Sequence, residues 1–266
     1  MRNAPTENWG VGASYERYVG RWSRPVAREF LPWLTAPVGA RWADVGCGTG
    51  ALVEGILSGT APGSVVGIDR SEGFLEAARQ QIGDGRVRFV VGDVAALPLD
   101  TAGCDVAVSG LVLNFASDPA AMVREMIRVT TPGGKVAAYV WDYAGGMTMM
   151  RLFWDAALAL RPADAELDEA SRFPLCQPEA LAALWRDLGL MGVAVRAVEV
   201  PTVFWDFGDY WTPFLGGQGA APTYLATLDS RTQEQIRAAL HARLTPAPDG
   251  TIALTARAWA VQGTVA

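Results

Sequence analysis

Trp42-Ala43-Asp44-Val45-Gly46-Cys47-Gly48-Thr49-Gly50 is an apolar run that closes on an acid and then passes through three alternating glycines. The spacing predicts a strand that turns sharply into a helix. Glycine has no Cβ and enters the positive-φ region freely, so such a turn can lie directly against a bound small molecule. Between a strand and a helix, this is the place where open α/β sheets bind nucleotide-like cofactors. Asp44 narrows the choice of ligand. A carboxylate beside the loop repels a pyrophosphate and suits a ligand that carries an ammonium or sulfonium group.

Working outward, short apolar segments alternate with helix-period segments, the pattern of a parallel sheet covered by helices. Strands are predicted at 40–45, 64–69, 86–92, 104–110 and 134–141, and helices at 50–58, 71–82 and 118–130. Ser71 and Asp118 stand at N-cap positions, the latter before Pro119. Asp69 and Asp93 end the second and third strands as Asp44 ends the first. Parallel strands share a direction, so these three acids are expected in one crevice. Asp69 is placed to accept hydrogen bonds from both hydroxyls of a ribose. Asp93 can accept from an exocyclic adenine amine, while Val94 offers apolar contact and a backbone N–H.

The second half predicts helices at 147–160, 178–188 and 231–243 and β segments at 192–204 and 251–264. The layout is a single domain: an N-terminal cap at 1–35, a cofactor-binding core at 36–143, and helical insertions at 144–176 and 206–248 over the acceptor side. The sheet is expected to end in an antiparallel pair.

The chain has 266 residues, half of them hydrophobic, enough for a full core. Its 28 acidic against 22 basic residues leave a net charge of −6 with no basic run, which disfavours nucleic acid and anionic membranes as partners. Lys135 is the only lysine, so Schiff-base chemistry and a Tyr-x-x-x-Lys dehydrogenase pair are not expected. Three scattered cysteines offer neither a disulfide framework nor a zinc cluster, and no metal is expected. The first residues lack the apolar core of a signal peptide, so a reducing cytoplasm is the expected location. The abundance of Ala and Arg suggests a GC-rich bacterial source. Nothing in the sequence sets an oligomeric state.

Asp44-Val45-Gly46-Cys47-Gly48-Thr49-Gly50, Val66-Gly67-Ile68-Asp69-Arg70-Ser71 and Gly92-Asp93-Val94-Ala95-Ala96-Leu97-Pro98 resemble class I S-adenosylmethionine-dependent methyltransferases. So do Cys104-Asp105-Val106-Ala107-Val108-Ser109 and Pro132-Gly133-Gly134-Lys135. The likeness is closest to the small-molecule group of the ubiquinone and menaquinone C-methyltransferases, and it is strong over 40–141. It implies a Rossmann-like seven-stranded sheet, S-adenosylmethionine as cofactor, and methyl transfer to a small, largely apolar or aromatic acceptor. Gly46, Gly48 and Thr49 would approach the methionine and ribose, and Asp69 would hold the ribose hydroxyls. Arg70 would lie by the adenine, Asp93 and Val94 would read its edge, and Ser109 would meet the amino group through its carbonyl. Asp44 would orient the loop or reach the ammonium through water. In such relatives an N-terminal segment covers the cofactor, which makes Tyr15, Tyr18, Arg21 and Trp22 candidates, Tyr18 and Arg21 foremost.

Met147, Met150, Phe153 and Trp154 recur at helical spacing, and Trp205, Phe207, Tyr210, Trp211 and Phe214 form a second aromatic group. Met147, Met150, Trp154, Trp205 and Trp211 are the candidates for lining an acceptor pocket; packing of the insertions alone is the other use for such stripes. Quinone-type relatives often carry a His shortly after the fourth strand, where this chain reads Leu111-Val112-Leu113-Asn114-Phe115. By location, Asp142 and Tyr143 are the catalytic candidates, Asp142 as proton acceptor and Tyr143 as a hydrogen-bond partner of the acceptor. His241 falls on a distal helix and reads as solvated. Three alternatives remain open: a cyclase or pericyclase that binds S-adenosylmethionine without methyl transfer, a non-catalytic partner subunit, and a dehydrogenase. For the last, Gly46-x-Gly48-x-x-Ala51 formally satisfies the dinucleotide pattern, but Asp44 opposes a pyrophosphate and Asp93 has no role.

Overall fold

The structure is a computed structural model that describes residues 20–216 and 219–266. Seven strands form one sheet: β1 Arg41–Val45, β2 Ser64–Asp69, β3 Val87–Val91, β4 Cys104–Gly110, β5 Thr130–Trp141, β6 Met191–Phe204 and β7 Ile252–Thr264. Their order is β3-β2-β1-β4-β5-β7-β6. The pairings from β3 to β5 are parallel. β7 runs back between β5 and β6: Gly133 N–H meets the Val265 carbonyl and Asp142 N–H that of Arg257, so the two strands pair antiparallel. The chain leaves β1 to one side for β2 and β3 and returns to the other side at β4. That reversal, between β1 and β4, is the switch point at which such sheets bind ligands.

The helices start where the sequence supplies caps. In α3 (Glu72–Gln81; α1 is Arg21–Phe30 and α2 Ala51–Gly59), the Ser71 side chain accepts from Phe74 N–H. In α4 (Pro119–Val129) Asp118 accepts from Ala121 N–H, with Pro119 at the first position. These satisfy amides that a helix start leaves unpaired. One prediction is corrected. β5 begins at Thr130, not at 134, because Thr130 already pairs with Cys104 before the register jumps to Val106 opposite Lys135. The intervening Pro132-Gly133-Gly134 bulges out. A Cβ on Gly134 would lie 2.6 Å from the Asp105 carbonyl oxygen, so only glycine fits there.

Two compact units divide the described residues. One comprises 23–140, 175–198 and 258–266, and the other 20–22, 141–174 and 199–257. The first holds the parallel strands with α1 to α4 and α6 (Pro178–Asp187), packed around Phe30, Trp42, Ile56, Val65, Ile68, Val106 and Met122. The Trp185 indole of α6 donates to the Val136 carbonyl of β5 at 3.1 Å.

The second unit has its own core. In α5 (Thr148–Leu160), Phe153 stacks on Phe214 at 4.7 Å and Trp154 tilts against Tyr224 at 5.0 Å. Tyr210 of α7 (Phe207–Trp211) donates to the Met149 carbonyl at 3.0 Å. α8 (Ala220–Ala226) carries Tyr224, and α9 (Ser230–Arg243) buries Ile236 and Leu240. Among the described residues no helix is long and apolar enough to cross a membrane.

Candidate cofactor site

The loop after β1 is held by β2. Gly46 and Cys47 both donate to the Ile68 carbonyl, at 2.8 and 2.9 Å. Gly46, Gly48 and Gly50 all have positive φ, at 78°, 52° and 91°. A Cβ at Gly46 would meet Val112 at 2.7 Å, so the segment after β4 closes one side of the loop. A Cβ at Gly48 would meet no atom of the described residues within 4 Å. Backbone bared towards open space is the cradle a small ligand needs.

One of the three strand-end acids, Asp69, bonds this loop directly. Asp69 accepts from Gly48 N–H at 2.9 Å through Oδ2 and from Ser71 N–H at 2.9 Å through Oδ1. It therefore joins the glycine turn to the end of β2, and each oxygen keeps a lone pair for a further donor. Asp93 is exposed and accepts from Ala95 N–H at 2.8 Å. The loop after it is anchored from α4: Glu125 accepts from Leu97 N–H, and Arg128 donates to the Leu97 and Leu99 carbonyls. The Arg128 guanidinium beside Glu125 holds that carboxyl below its usual range. Arg70 is exposed, and Val94 and Thr49 are half-buried.

Asp44 behaves differently. It is 1% exposed, and among the described residues no donor reaches either carboxylate oxygen. Its register partners are Gly67 on β2 and Val108 on β4. Burial first, and the charge of Asp69 second, push the Asp44 carboxyl up to about 8. Burial also raises the neighbouring Cys47 thiol, with Asp44 and Asp69 adding to it. An unpaired buried carboxylate is strongly unfavourable, so the group either keeps its proton or ionises beside a cation. At the end of β4 two further polar atoms are buried without partners among the described residues: Ser109 Oγ and Asn114 Nδ2.

Several residues here went unread. Leu111 sits at φ 63°, held by a 2.8 Å bond from its N–H to the Tyr139 carbonyl. Nothing local in Leu111-Val112-Leu113-Asn114 signals that conformation, or that Val112 backs Gly46. The Glu125–Arg128 anchor did have a local mark, an acid and a base three residues apart on a helix.

The candidates outside the glycine crevice occupy several different environments. Tyr15 and Tyr18 lie outside the described residues. Arg21 donates to Asp209 at 3.0 Å, with its guanidinium over the Trp22 and Phe204 rings at 4.5 and 4.7 Å. Met150 and Trp154 belong to the helical unit's core, where the Trp154 indole donates to the buried Glu169. Trp211, also buried, lies parallel to Phe207. Their helical spacing reflects packing of that unit on itself. Trp205 does not join them. β6 alternates buried and exposed residues up to the buried Phe204, and the next position is 79% exposed.

Asp142 is bonded on both oxygens. Its Oδ2 lies 2.7 and 2.6 Å from Arg257 Nε and Nη2, and Oδ1 accepts from Gly145 N–H at 3.0 Å. Its carbonyl takes the N–H groups of Gly146 and Met147. In this arrangement the residue anchors a turn. Replacing it by Asn should lower unfolding free energy by about 1–3 kcal/mol, less than a wholly buried pair because Arg257 is partly exposed, and leave kcat within a few-fold. Urea denaturation beside steady-state kinetics checks this; a large loss of kcat at unchanged stability would reinstate it as a base. Tyr143 is buried, 5.5 Å from Phe173, and Met147 is buried where it bridges to Ala256.

Residues 43–138 match the model of a family described as methyltransferase domain. A demethylmenaquinone methyltransferase of Roseiflexus castenholzii is 32% identical over 186 residues, covering 62% of this chain and 77% of that protein. A malonyl-[acyl-carrier protein] O-methyltransferase of Serratia marcescens is 27% identical, covering 69% and 70%. In fold, the chain resembles a Haemonchus contortus phosphoethanolamine N-methyltransferase solved with S-adenosyl-L-methionine, with TM-score 0.57 at 16% identity over 95% of this chain and 56% of that one. The strand order, the glycine cradle and the unpartnered buried acid agree with these likenesses. The chain belongs to the class I S-adenosylmethionine-dependent methyltransferases.

Proposed function

We propose that the protein methylates a small, largely apolar or aromatic acceptor. The observation that carries the cofactor half of this reading is Asp44, buried without a partner among the described residues beside the open face of Gly48. In the proposed arrangement Gly46, Gly48 and Thr49 hold the methionine and ribose, Asp69 takes the ribose hydroxyls, and Asp93 and Val94 take the adenine edge. Bound there, the cofactor supplies a methyl group already activated on a sulfonium. What remains for the chain is to orient the acceptor and exclude water; in-line positioning alone supplies about 7–11 kcal/mol in favourable cases. With Asp142 held by Arg257, no base is assigned. The reading fits acceptors that react once positioned, such as phenolates, amines or enolates.

The acceptor half rests on fewer residues than the sequence suggested, since Met150, Phe153 and Trp154 serve the helical unit's core. Tyr143, Met147 and the buried Trp141 indole, whose N–H has no acceptor among the described residues, support an aromatic or carbonyl-bearing acceptor. Relatives named for demethylmenaquinone and malonyl-acyl carrier support a small or carrier-bound one. Incubation with methyl-labelled S-adenosylmethionine and a panel of small aromatic acceptors should give labelled product and equimolar S-adenosylhomocysteine. Acceptor turnover with the methyl donor unchanged would replace this reading by a cyclase.

A further inference from the structure

Asp44 carries the furthest inference, which rests on the cofactor assignment. It closes β1 at 1% exposure, with both carboxylate oxygens fully shielded and unbonded among the described residues. The groups facing it are known element by element. From β2 comes a second acid, Asp69, already bonded to the amides of Gly48 and Ser71. From the loop comes the Cys47 thiol, which burial keeps protonated. β4 offers Val108 in register and the uncharged Ser109 beyond it. No arginine or lysine among the described residues pairs with Asp44, although other buried acids, such as Asp142, have one. The charge that acts on it, Asp69, has the wrong sign. Such a carboxyl avoids desolvation by keeping its proton.

We propose that Asp44 is a proton-linked counterion: it is neutral in the free protein and ionises, passing its proton to solvent, when the cationic amino-acid end of the cofactor enters the loop. Cofactor binding is then coupled to release of one proton. The cation that triggers it is either the ammonium or the sulfonium. Ligands that lack both would bind with Asp44 still protonated.

The sign of the coupling follows from the direction of the shift. In the free site the carboxyl titrates near 8, raised first by burial and then by Asp69, and a cation beside it lowers that value. Below pH 8 only the ionised minority is ready to pair, so apparent affinity rises with pH by up to about tenfold per unit. Between pH 6 and 7 the ligand's own α-amino group stays largely protonated, which keeps that range interpretable. Without ligand, the folded protein holds a proton that the unfolded chain has lost above about pH 4, so the contribution of Asp44 to stability falls from pH 5 to pH 8.

Calorimetric titration at pH 7 in two buffers of different ionisation enthalpy tests this, with S-adenosylmethionine, S-adenosylhomocysteine and 5′-methylthioadenosine as probes. We expect most of one proton released per S-adenosylmethionine bound, none with 5′-methylthioadenosine, and none with any probe in Asp44→Asn. Release with both amino-acid ligands makes the ammonium the partner; release with S-adenosylmethionine alone makes it the sulfonium, and either supports the proposal. Binding of S-adenosylmethionine without proton release overturns it and leaves the cofactor assignment standing. Failure of S-adenosylmethionine to bind at all removes both. If the Asn variant folds poorly, the pH dependence of wild-type affinity decides: a flat profile between pH 6 and 7 overturns the coupling.

Discussion

Asp69→Ala is expected to weaken S-adenosylmethionine binding by about 2–4 kcal/mol, roughly thirty- to nearly a thousandfold. The figure exceeds that of one ribose contact because Asp69 does a second task in the free protein. Its Oδ2 takes the Gly48 amide and Oδ1 that of Ser71, so the side chain ties the glycine turn to the end of β2. Hydrogen bonds to an ionised group contribute about 1.5–3 kcal/mol each, and alanine removes both of these along with any made to the ligand. Asp69→Asn separates the tasks. Its single carbonyl oxygen can keep the Gly48 amide but cannot serve both amides and a ribose, so an intermediate loss is expected. Calorimetric affinities of the three proteins make the comparison. Unchanged binding in Asp69→Ala would remove this acid from the site.

The second large effect lies at the neighbouring glycines, whose substitutions should fail in different ways. Gly46→Ala meets two obstacles within the protein: a left-handed backbone at φ 78° and Val112 side-chain carbons 2.7 and 2.8 Å from the new methyl. The first costs about 1–2 kcal/mol and the second about 1–3 kcal/mol, so its unfolding free energy should fall by about 2–5 kcal/mol. Adding Val112→Ala should return part of the steric share and none of the backbone share. Among the described residues Gly48→Ala has only the backbone obstacle, at φ 52°, because its methyl would meet none of their atoms. Its stability should fall by about 1–2 kcal/mol, while cofactor affinity falls much further because the methyl occupies ligand space. Urea denaturation and calorimetry on the three variants make the test. Equal losses of stability in Gly46→Ala and Gly48→Ala, or unimpaired binding in Gly48→Ala, would contradict the cradle.

Most of the framework was legible because its causes are local. An apolar strand ended by an acid, glycines where φ must be positive, Ser71 and Asp118 ahead of their helices, and Gly189 at φ 83° after α6 all act on neighbouring residues. The start of β5 was misread for the complementary reason. Thr130 belongs to the strand through its pairing with Cys104, a partner that adjacent sequence does not reveal.

At the site the same division holds. The sequence by itself determined the parallel core, the glycine turn and three acids at the ends of adjacent strands, because strand direction and backbone conformation are properties of short segments. Only the tertiary structure decided what each acid does. Asp142 met Arg257, 115 residues away, and became a turn anchor. Asp69 met the amides of Gly48 and Ser71. Asp44, in the segment that revealed the fold, met no donor at all among the described residues. Likewise Met150, Phe153 and Trp154 went into a core and Trp205 to the surface, since an apolar stripe gains the same burial from either a core or a pocket. A carboxylate's charge, basicity and role depend on the groups that fold against it, and these are brought together by contacts far apart in the chain.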